Sequence, residues 1–331
     1  TVSNLQRINL LMKCLVTGAS GFIGRGLLPS LKKAGHIAAQ ASRAYPEKNI
    51  DLLTFSVGHI SGHTDWTLAV ANQDVVIHLA NRAHSFNHKE ANALSEYRKV
   101  NVDGTLNLAK QASEAGAKRF IYLSSIKVNG ERTSDHAFRC DDVPAPEDHY
   151  GISKWEAEQG LKKLCEELAM ELVIIRPPLV YGPGVKGNLQ KLTQAIDSGL
   201  PLPLGGMTNR RDLISLYNLT GLIVTCVDHP RASGHTFLCS DGCPVSTSEL
   251  IASIAKARGK KLRLFKLPAR IVVGLLSFLG KQGLGERLFG DLRVDMANTQ
   301  TVLGWVPPVA FEEGVLKAFA LGGELNRSID D

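Results

Sequence analysis

Aromatic residues make up only 6% of this 331-residue chain, and lysine and arginine form no long run. A nucleic-acid surface needs a concentrated basic patch, so none is expected. The six cysteines include no Cys-x-x-Cys pair. Cys239 and Cys243 stand four apart with no His or Cys at zinc spacing. Free thiols in a reducing compartment, the cytoplasm, are the expectation. No cluster of His, Asp and Glu has metal-ligand spacing, so no metal is expected. Long apolar runs are missing too. The longest, 271–279, is broken by Gly274 and Ser277 and falls short of the roughly 20 residues of a membrane span. It reads as a buried helix of a small domain, with an interfacial amphipathic helix as the alternative. The first eleven residues lack a basic stretch with a cleavage site, so no secretory leader is expected. Met12 is the expected natural start, with residues 1–11 outside the fold.

What is present points to a large core. Apolar residues are 44% and charged residues 21% of the chain, a balance that favours two domains, or one large and one small. The formal charge of +6 fits an anionic small molecule such as a polyphosphate, or simply a mildly basic surface.

Strand-like and helix-like segments alternate through the first half. Residues 13–17 read as a buried strand, 22–34 as a helix closed by Gly35, and 36–41 as a second strand. Val75-Val76-Ile77-His78-Leu79 and Phe120-Ile121-Tyr122-Leu123 are continuous apolar runs of the kind parallel strands show when covered on both faces. A helix is predicted over 95–114, stopped by Gly116, and another over 150–169, followed by a strand at 172–175. Beyond Pro177, prolines and glycines cluster as loops over a cleft or a junction. Helices then recur at 216–227 and 247–258, with a strand at 235–239 between them. The pattern is α/β: a Rossmann-type doubly wound parallel sheet with a smaller C-terminal substrate domain. The expected division gives 12–176, with returns near 213–240, to the sheet domain, and 177–212 with 241–331 to the smaller one.

Thr17-Gly18-Ala19-Ser20-Gly21-Phe22-Ile23-Gly24 joins the first strand to the first helix. Glycines there permit a tight turn and close approach of main chain to a pyrophosphate, and the helix N-terminus offers oriented N–H groups. Dinucleotide binding is therefore predicted at Gly18, Ser20, Gly21, Phe22, Ile23 and Gly24. NAD binders carry an acid at the end of the second strand. This chain has Ala41-Ser42-Arg43, and Arg43 suits a 2′-phosphate or an adenine face, so NAD and NADP both stay open.

Tyr150 and Lys154 are four apart and share one helix face. Tyrosine, with a reference pKa near 10, is a poor base at neutral pH. An ammonium about 5 Å away at an effective dielectric of about 20 favours the phenolate by roughly 3 kcal/mol. Tyr150 could then take a hydroxyl proton as hydride leaves the same carbon, with Ser125, at the end of the 120–123 strand, bonded to the reacting oxygen.

Taken together, Gly18–Gly24, His78-Leu79-Ala80, Asn101-Val102-Asp103-Gly104-Thr105, Ser124-Ser125 and Tyr150-x-x-x-Lys154 resemble the extended short-chain dehydrogenases, specifically the NAD-dependent epimerase/dehydratase family. Arg176-Pro177-Pro178-Leu179-Val180-Tyr181-Gly182-Pro183, Arg211-Asp212 and Leu303-Gly304-Trp305-Val306-Pro307 are similar to later segments of that family. The resemblance implies that Ser125, Tyr150 and Lys154 are catalytic. It implies that Ile60, Leu79, Ala80, Asn101 and Pro177 line NAD alongside Tyr150 and Lys154. His59 stands where many members have an aspartate accepting from adenine. Asn188, Leu189 and Arg211 are implied at the diphosphate of a UDP-sugar. His84, just beyond a strand's C-terminal end, is a candidate substrate contact from its position alone. The family is usually dimeric through the 95–114 and 150–169 helices. The wording around Ser124–Gly130 and Val185–Asn188 looks most like a bacterial polysaccharide branch. That branch holds UDP-hexose 4-epimerases and NAD(P)H-dependent reductases of UDP-4-keto-6-deoxy-hexosamines. A non-catalytic NAD(P)-sensing protein is the third reading, disfavoured by the intact Ser125, Tyr150 and Lys154.

Overall fold

The computed structural model describes residues 11–44, 53–83, 92–268, 270–272, 274 and 289–320. His84, residues 1–10 and most of the 271–279 run lie outside the described residues. The chain enters β1 (Lys13–Thr17), turns through the glycine loop into α1 (Phe22–Lys33), and continues with β2 (Ile37–Ser42) and β3 (Leu53–Ser56). A short α2 (Thr67–Val70) precedes β4 (Val75–His78). Then α3 (Ala93–Arg98), a π-helical turn (Lys99–Asp103) and α4 (Gly104–Glu114) run on into β5 (Arg119–Leu123). A 3-10 turn (Ile126–Val128), α5 (His149–Glu167) and β6 (Glu171–Arg176) follow.

These strands and β9 (Thr236–Leu238) make one seven-stranded sheet, ordered β3-β2-β1-β4-β5-β6-β9, with parallel pairing throughout. Successive strand side chains point to opposite faces, and the core divides accordingly. Val16, Ile77, Ile121 and Val173 join the α1 side, whereas Leu15, Val76, Phe120 and Ile174 join the α4–α5 side. Strand order reverses between β1 and β4, which opens the crevice at their C-terminal ends where open α/β sheets bind ligands.

The remaining elements begin with β7 (Leu179–Tyr181), α6 (Asn188–Asp197), β8 (Leu213–Ser215) and α7 (Leu216–Asp228). After β9 come α8 (Thr247–Ala257), α9 (Ala297–Leu303) and α10 (Phe311–Phe319). The helix α8 starts on a capping box in which Ser246 and Glu249 satisfy each other's main-chain N–H groups. β7 and β8 pair as a separate two-stranded parallel sheet. Tyr181 locks this region: its hydroxyl donates to Asp241 Oδ2 at 2.6 Å and its ring meets Phe311 and Phe319. A third core cluster gathers here, with Leu189, Leu204, Ile251, Ile254 and Val315.

Two expectations need amendment, and one strand had no counterpart among them. The helix predicted over 95–114 begins at Ala93 and widens into the π turn, inside which Asn101 is only 1% exposed. β3 carried no clear signal, because it is a half-exposed edge strand of four residues. The 213–240 return is divided, since β8 pairs with β7 while β9 completes the large sheet beside β6. No helix among the described residues is long and apolar enough to cross a membrane.

Candidate active site

The glycine loop fits a pyrophosphate for steric reasons. Gly18 has φ +68°, and a Cβ there would come within 2.7 Å of Ala80 N. A Cβ on Gly24 would lie 2.5 Å from both Ala19 Cα and Gly18 O. Gly21 caps α1 without a side chain, and the first turn holds no acidic residue. Its leading N–H groups therefore face outward for an anion, with the positive end of the helix dipole behind them. Arg25 Nε steadies the loop by donating to Ser20 O at 3.0 Å.

Behind the loop a polar chain ties the strand ends together. Thr17 Oγ1 lies 2.7 Å from His78 Nδ1, and His78 Nε2 lies 3.0 Å from Thr105 Oγ1. Thr105 in turn donates to Asn101 O at 2.8 Å, and Thr17 Oγ1 accepts from Ala80 N at 3.3 Å. Burial and the nearby Lys154 charge push His78 down to about 3, so this ring is a neutral connector. The Asn101 amide is used within the protein: Oδ1 accepts from Arg82 N at 2.8 Å, and Nδ2 donates to Ser153 Oγ at 2.9 Å. Asn101 thus shapes the loop beyond β4 and links it to α5.

Ser125 caps the 3-10 turn, its hydroxyl accepting from Lys127 N at 3.3 Å. Tyr150 enters in the first turn of α5, with the Tyr97 ring edge-on at 6.3 Å. Lys154, one turn on and 1% exposed, donates to Leu123 O at 2.7 Å. Its ammonium lies 4.4 Å above the Tyr122 ring and 6.0 Å from the Tyr150 ring centroid. Burial, with Asp148 and Tyr97 adding, raises Tyr150 above its ordinary value. Burial pushes Lys154 down to about 7, opposed by Glu158. Among these residues burial is the largest influence on the phenol and raises it, against the direction expected from Lys154.

Two supporting clusters escaped sequence reasoning. In the first, Lys127 pairs with Glu131 and Asp148. Asp148 also caps α5, its Oδ1 accepting from Gly151 N at 2.7 Å. A Cβ on Gly151 would stand 2.9 Å from Lys127 O, so only glycine lets the Ser125 turn sit this close to the Tyr150 helix. The second cluster is more deeply buried. Arg176 and Glu158, 2% and 0% exposed, form a bidentate pair through Nε–Oε1 at 2.9 Å and the second nitrogen to Oε2 at 2.5 Å. Ser124 donates to the same carboxylate, and Arg176 donates to Asn129 Oδ1 at 3.0 Å. Glu158 lies four residues after Lys154 on α5. The Tyr150–Lys154–Glu158 spacing was the available signal, as was Asp148 as a helix cap.

The other sequence-predicted residues divide in two. Leu79, 6% exposed, and Ala80 lie at the end of β4 against Gly18. Pro177 accepts from Ile126 N at 3.0 Å, which bonds the end of β6 to the Ser125 turn. Arg43 and His59 are exposed beyond β2 and β3, while Ile60 packs on Gly104. Asn188 is exposed as the first residue of α6. Leu189 is 5% exposed, its side chain in the third core cluster, so its main chain is the part open to a ligand. Arg211 is half-buried and donates to Gly290 O at 2.8 Å. Its neighbour Asp212 accepts from Val294 N at 2.8 Å and is pushed up to about 6 by burial.

The NAD dependent epimerase/dehydratase family model matches residues 14–239. A UDP-glucose 4-epimerase of Vibrio cholerae is 47% identical over 303 residues, covering 91% of this chain and 92% of that one. A 2-alkyl-3-oxoalkanoate reductase of Stenotrophomonas maltophilia is 28% identical and covers 92% of this chain and 97% of its own length. Among solved structures, the UDP-glucuronic acid 4-epimerase of Bacillus cereus in complex with NAD is similar in fold. Its TM-score is 0.76 at 22% identity, covering 93% of this chain and 95% of that one.

Proposed function

The chain belongs to the NAD dependent epimerase/dehydratase family, and on that premise we propose that it inverts C4 of a UDP-hexose or UDP-hexosamine through a transient 4-keto sugar. The observation that carries this reading is the 47% identity to a UDP-glucose 4-epimerase over nearly the full length of both chains. The site chemistry agrees with it. The cofactor is NAD, and the side-chain-free cradle of Gly18, Gly21 and Gly24 suits its pyrophosphate. Ser20, Phe22, Ile23, Ile60, Leu79 and Ala80 would line the rest, and Lys154 would reach a ribose hydroxyl. When bound, NAD supplies the hydride acceptor and a positive ring charge beside Tyr150.

Every other role falls to the chain itself. Tyr150 carries the proton of the C4 hydroxyl, taking it as hydride leaves C4 in the first half-reaction and returning it in the second. Burial raises its pKa, so the phenolate that accepts this proton must be favoured by the Lys154 ammonium, protonated in part near neutrality, and by the cationic ring that NAD would bring. Ser125 holds the reacting oxygen. Arg211 and the main chain at Asn188–Leu189 anchor the diphosphate while the keto sugar turns over. Residues 12–176 with 213–240 act as the cofactor domain, and 177–212 with 241–331 as the substrate domain. We place the enzyme in the cytoplasm as a homodimer through the α4 and α5 faces, where Trp155 is 36% exposed.

The rival reading is a 4-ketoreductase. It draws on the missing acid after β2 and on Arg43, which suit a phosphorylated, exchangeable cofactor. To separate the two, purified protein is denatured and any released dinucleotide identified by mass. Fresh protein is then incubated with UDP-glucose and UDP-N-acetylglucosamine without additions. Tightly held NAD and appearance of the galacto-epimers are expected. Absence of epimer, with NAD(P)H consumed on a UDP-4-keto-6-deoxy-hexosamine, would install the reductase instead.

A further inference from the structure

The structure assigns a peripheral membrane-docking face to the strand-like stretch 260–266 and its flanks, with an anionic phospholipid surface as the occupant. From residue 250 to 285 the chain has no Asp or Glu but eight Lys and Arg. The basic residues never run together for long, because they alternate with apolar ones. Burial follows that alternation: Lys261, Arg263 and Phe265 are exposed, whereas Leu262 and Leu264 are half-buried against the third core cluster. The stretch is tied by main-chain hydrogen bonds to residues 202–205. Leu202 N donates to Arg263 O at 2.9 Å, Phe265 N to Leu202 O at 3.1 Å, and Gly205 N to Phe265 O at 3.0 Å.

The outer row is amphipathic in the manner of a membrane-surface element. Lys260, Lys261, Arg263, Lys266 and Arg270 are exposed and make no ion pair among the described residues. Between and beside them, Phe265, Ile271 and Leu200 are 43%, 45% and 56% exposed. A groove of about 310 Å³ lies between Ile196–Gly199, at the end of α6, and Lys260, Lys261 and Arg263. Its carboxylate, Asp197, is already engaged by Arg258 at 2.8 Å, so the groove presents positive charge.

The chemistry of the face selects its occupant. A second copy of this chain would bring like charges together. A nucleic acid would leave two aliphatic side chains facing phosphate, with a single ring for stacking. An anionic bilayer uses both components, since phosphate headgroups meet the cations and the interfacial zone takes Phe265, Ile271 and Leu200. The helix α6, ten residues and roughly 15 Å long, begins at Asn188 and ends at this face. Docking here would therefore hold the sugar-nucleotide end of the cleft close to the membrane without covering it.

The test is vesicle co-sedimentation of the full chain, with phosphatidylcholine alone against phosphatidylcholine mixed with phosphatidylglycerol. Binding confined to the mixed vesicles and weakened by salt is expected. Each Lys or Arg near such a surface is worth about 1 kcal/mol, about fivefold in affinity. The variant Lys261→Glu/Arg263→Glu/Lys266→Glu should thus lose roughly 100-fold or more. Phe265→Ala should lose several-fold while keeping the wild-type salt dependence. Cofactor content and turnover in free solution should be unchanged in both, since these residues lie outside the catalytic machinery. If the triple reversal disturbs folding, Lys261→Ala/Arg263→Ala gives the same reading at roughly 30-fold. The proposal is overturned by wild-type binding that ignores phosphatidylglycerol, or by reversal variants that bind as wild type does. Equal binding to duplex DNA with no effect of Phe265→Ala would also overturn it.

Discussion

Replacing Glu158 by Gln tests whether the site is held from behind by its buried ion pair. The substitution keeps side-chain volume and removes one charge. In the native protein both carboxylate oxygens are engaged, by Arg176 at 2.9 and 2.5 Å and by Ser124, with neither ionic partner more than 2% exposed. After the change Arg176 stays buried and charged with no counter-ion. Breaking one side of such a pair costs about 3–5 kcal/mol, a large part of the roughly 5–15 kcal/mol available to a folded chain. At the few degrees per kcal/mol typical of large domains, the melting temperature should fall by roughly 5–15 °C. Catalysis should suffer separately. Glu158 supports the Lys154 ammonium and holds Ser124, the neighbour of Ser125. Losing it should lower the Lys154 pKa further below its ordinary value and shift the pH dependence of kcat. The combined variant Glu158→Leu/Arg176→Met separates the two effects, because apolar replacement of a whole pair is often neutral or stabilising. It should recover most of the melting temperature but not kcat. Thermal melts and pH–rate profiles on the three proteins decide the matter. A Glu158→Gln protein within 1 kcal/mol of wild type, or a double variant that regains both properties, would refute the reasoning.

Tyr150→Phe should reduce turnover by about 10²–10⁴-fold and leave NAD content nearly unchanged, as measured on one preparation by assay and by mass. Gly24→Ala should strip the cofactor or prevent folding, because the added Cβ has only 2.5 Å to backbone atoms; a variant that retains stoichiometric NAD would contradict the cradle. Lys154 bears on stability against pH: its pKa is pushed down to about 7 in the fold against about 10.4 when unfolded. Between those values the unfolded chain binds the extra proton, so the contribution of Lys154 to stability should rise with pH across that window. Denaturant midpoints at neutral and alkaline pH should show the rise, and Lys154→Met should remove it. Arg43→Ala should change the ratio of NADPH to NADH affinity by titration; an unchanged ratio makes Arg43 a surface charge only.

The large sheet was legible because its strands are uninterrupted apolar runs and its turns carry glycine. β1 matches its expected span residue for residue, and α1, α5, α7 and β6 differ by one or two residues at their ends. The glycine cradle and the Tyr150–Lys154 face follow from local spacing, so they could be read directly. What escaped depends on contacts distant in sequence. Nothing local to Arg176 says that its partner is Glu158, and nothing local to Asn101 says that its amide is spent on Arg82 and Ser153. The burial that raises the Tyr150 pKa escaped for the same reason. Spacing supplies the attraction of Lys154, but only the packed fold reveals how much desolvation opposes it. The basic face at 260–266 was overlooked because its charges are interleaved with core leucines, and a search for runs misses a period of two.

The central claim is that hydride leaves C4 and returns to C4 within one binding event. UDP-glucose carrying deuterium at C4 is incubated with the purified enzyme in the presence of excess unlabelled NADH. The account predicts UDP-galactose that keeps its deuterium at C4, with no NADH consumed. Product that has exchanged its label with the added NADH, or label lost without any epimer formed, would contradict it.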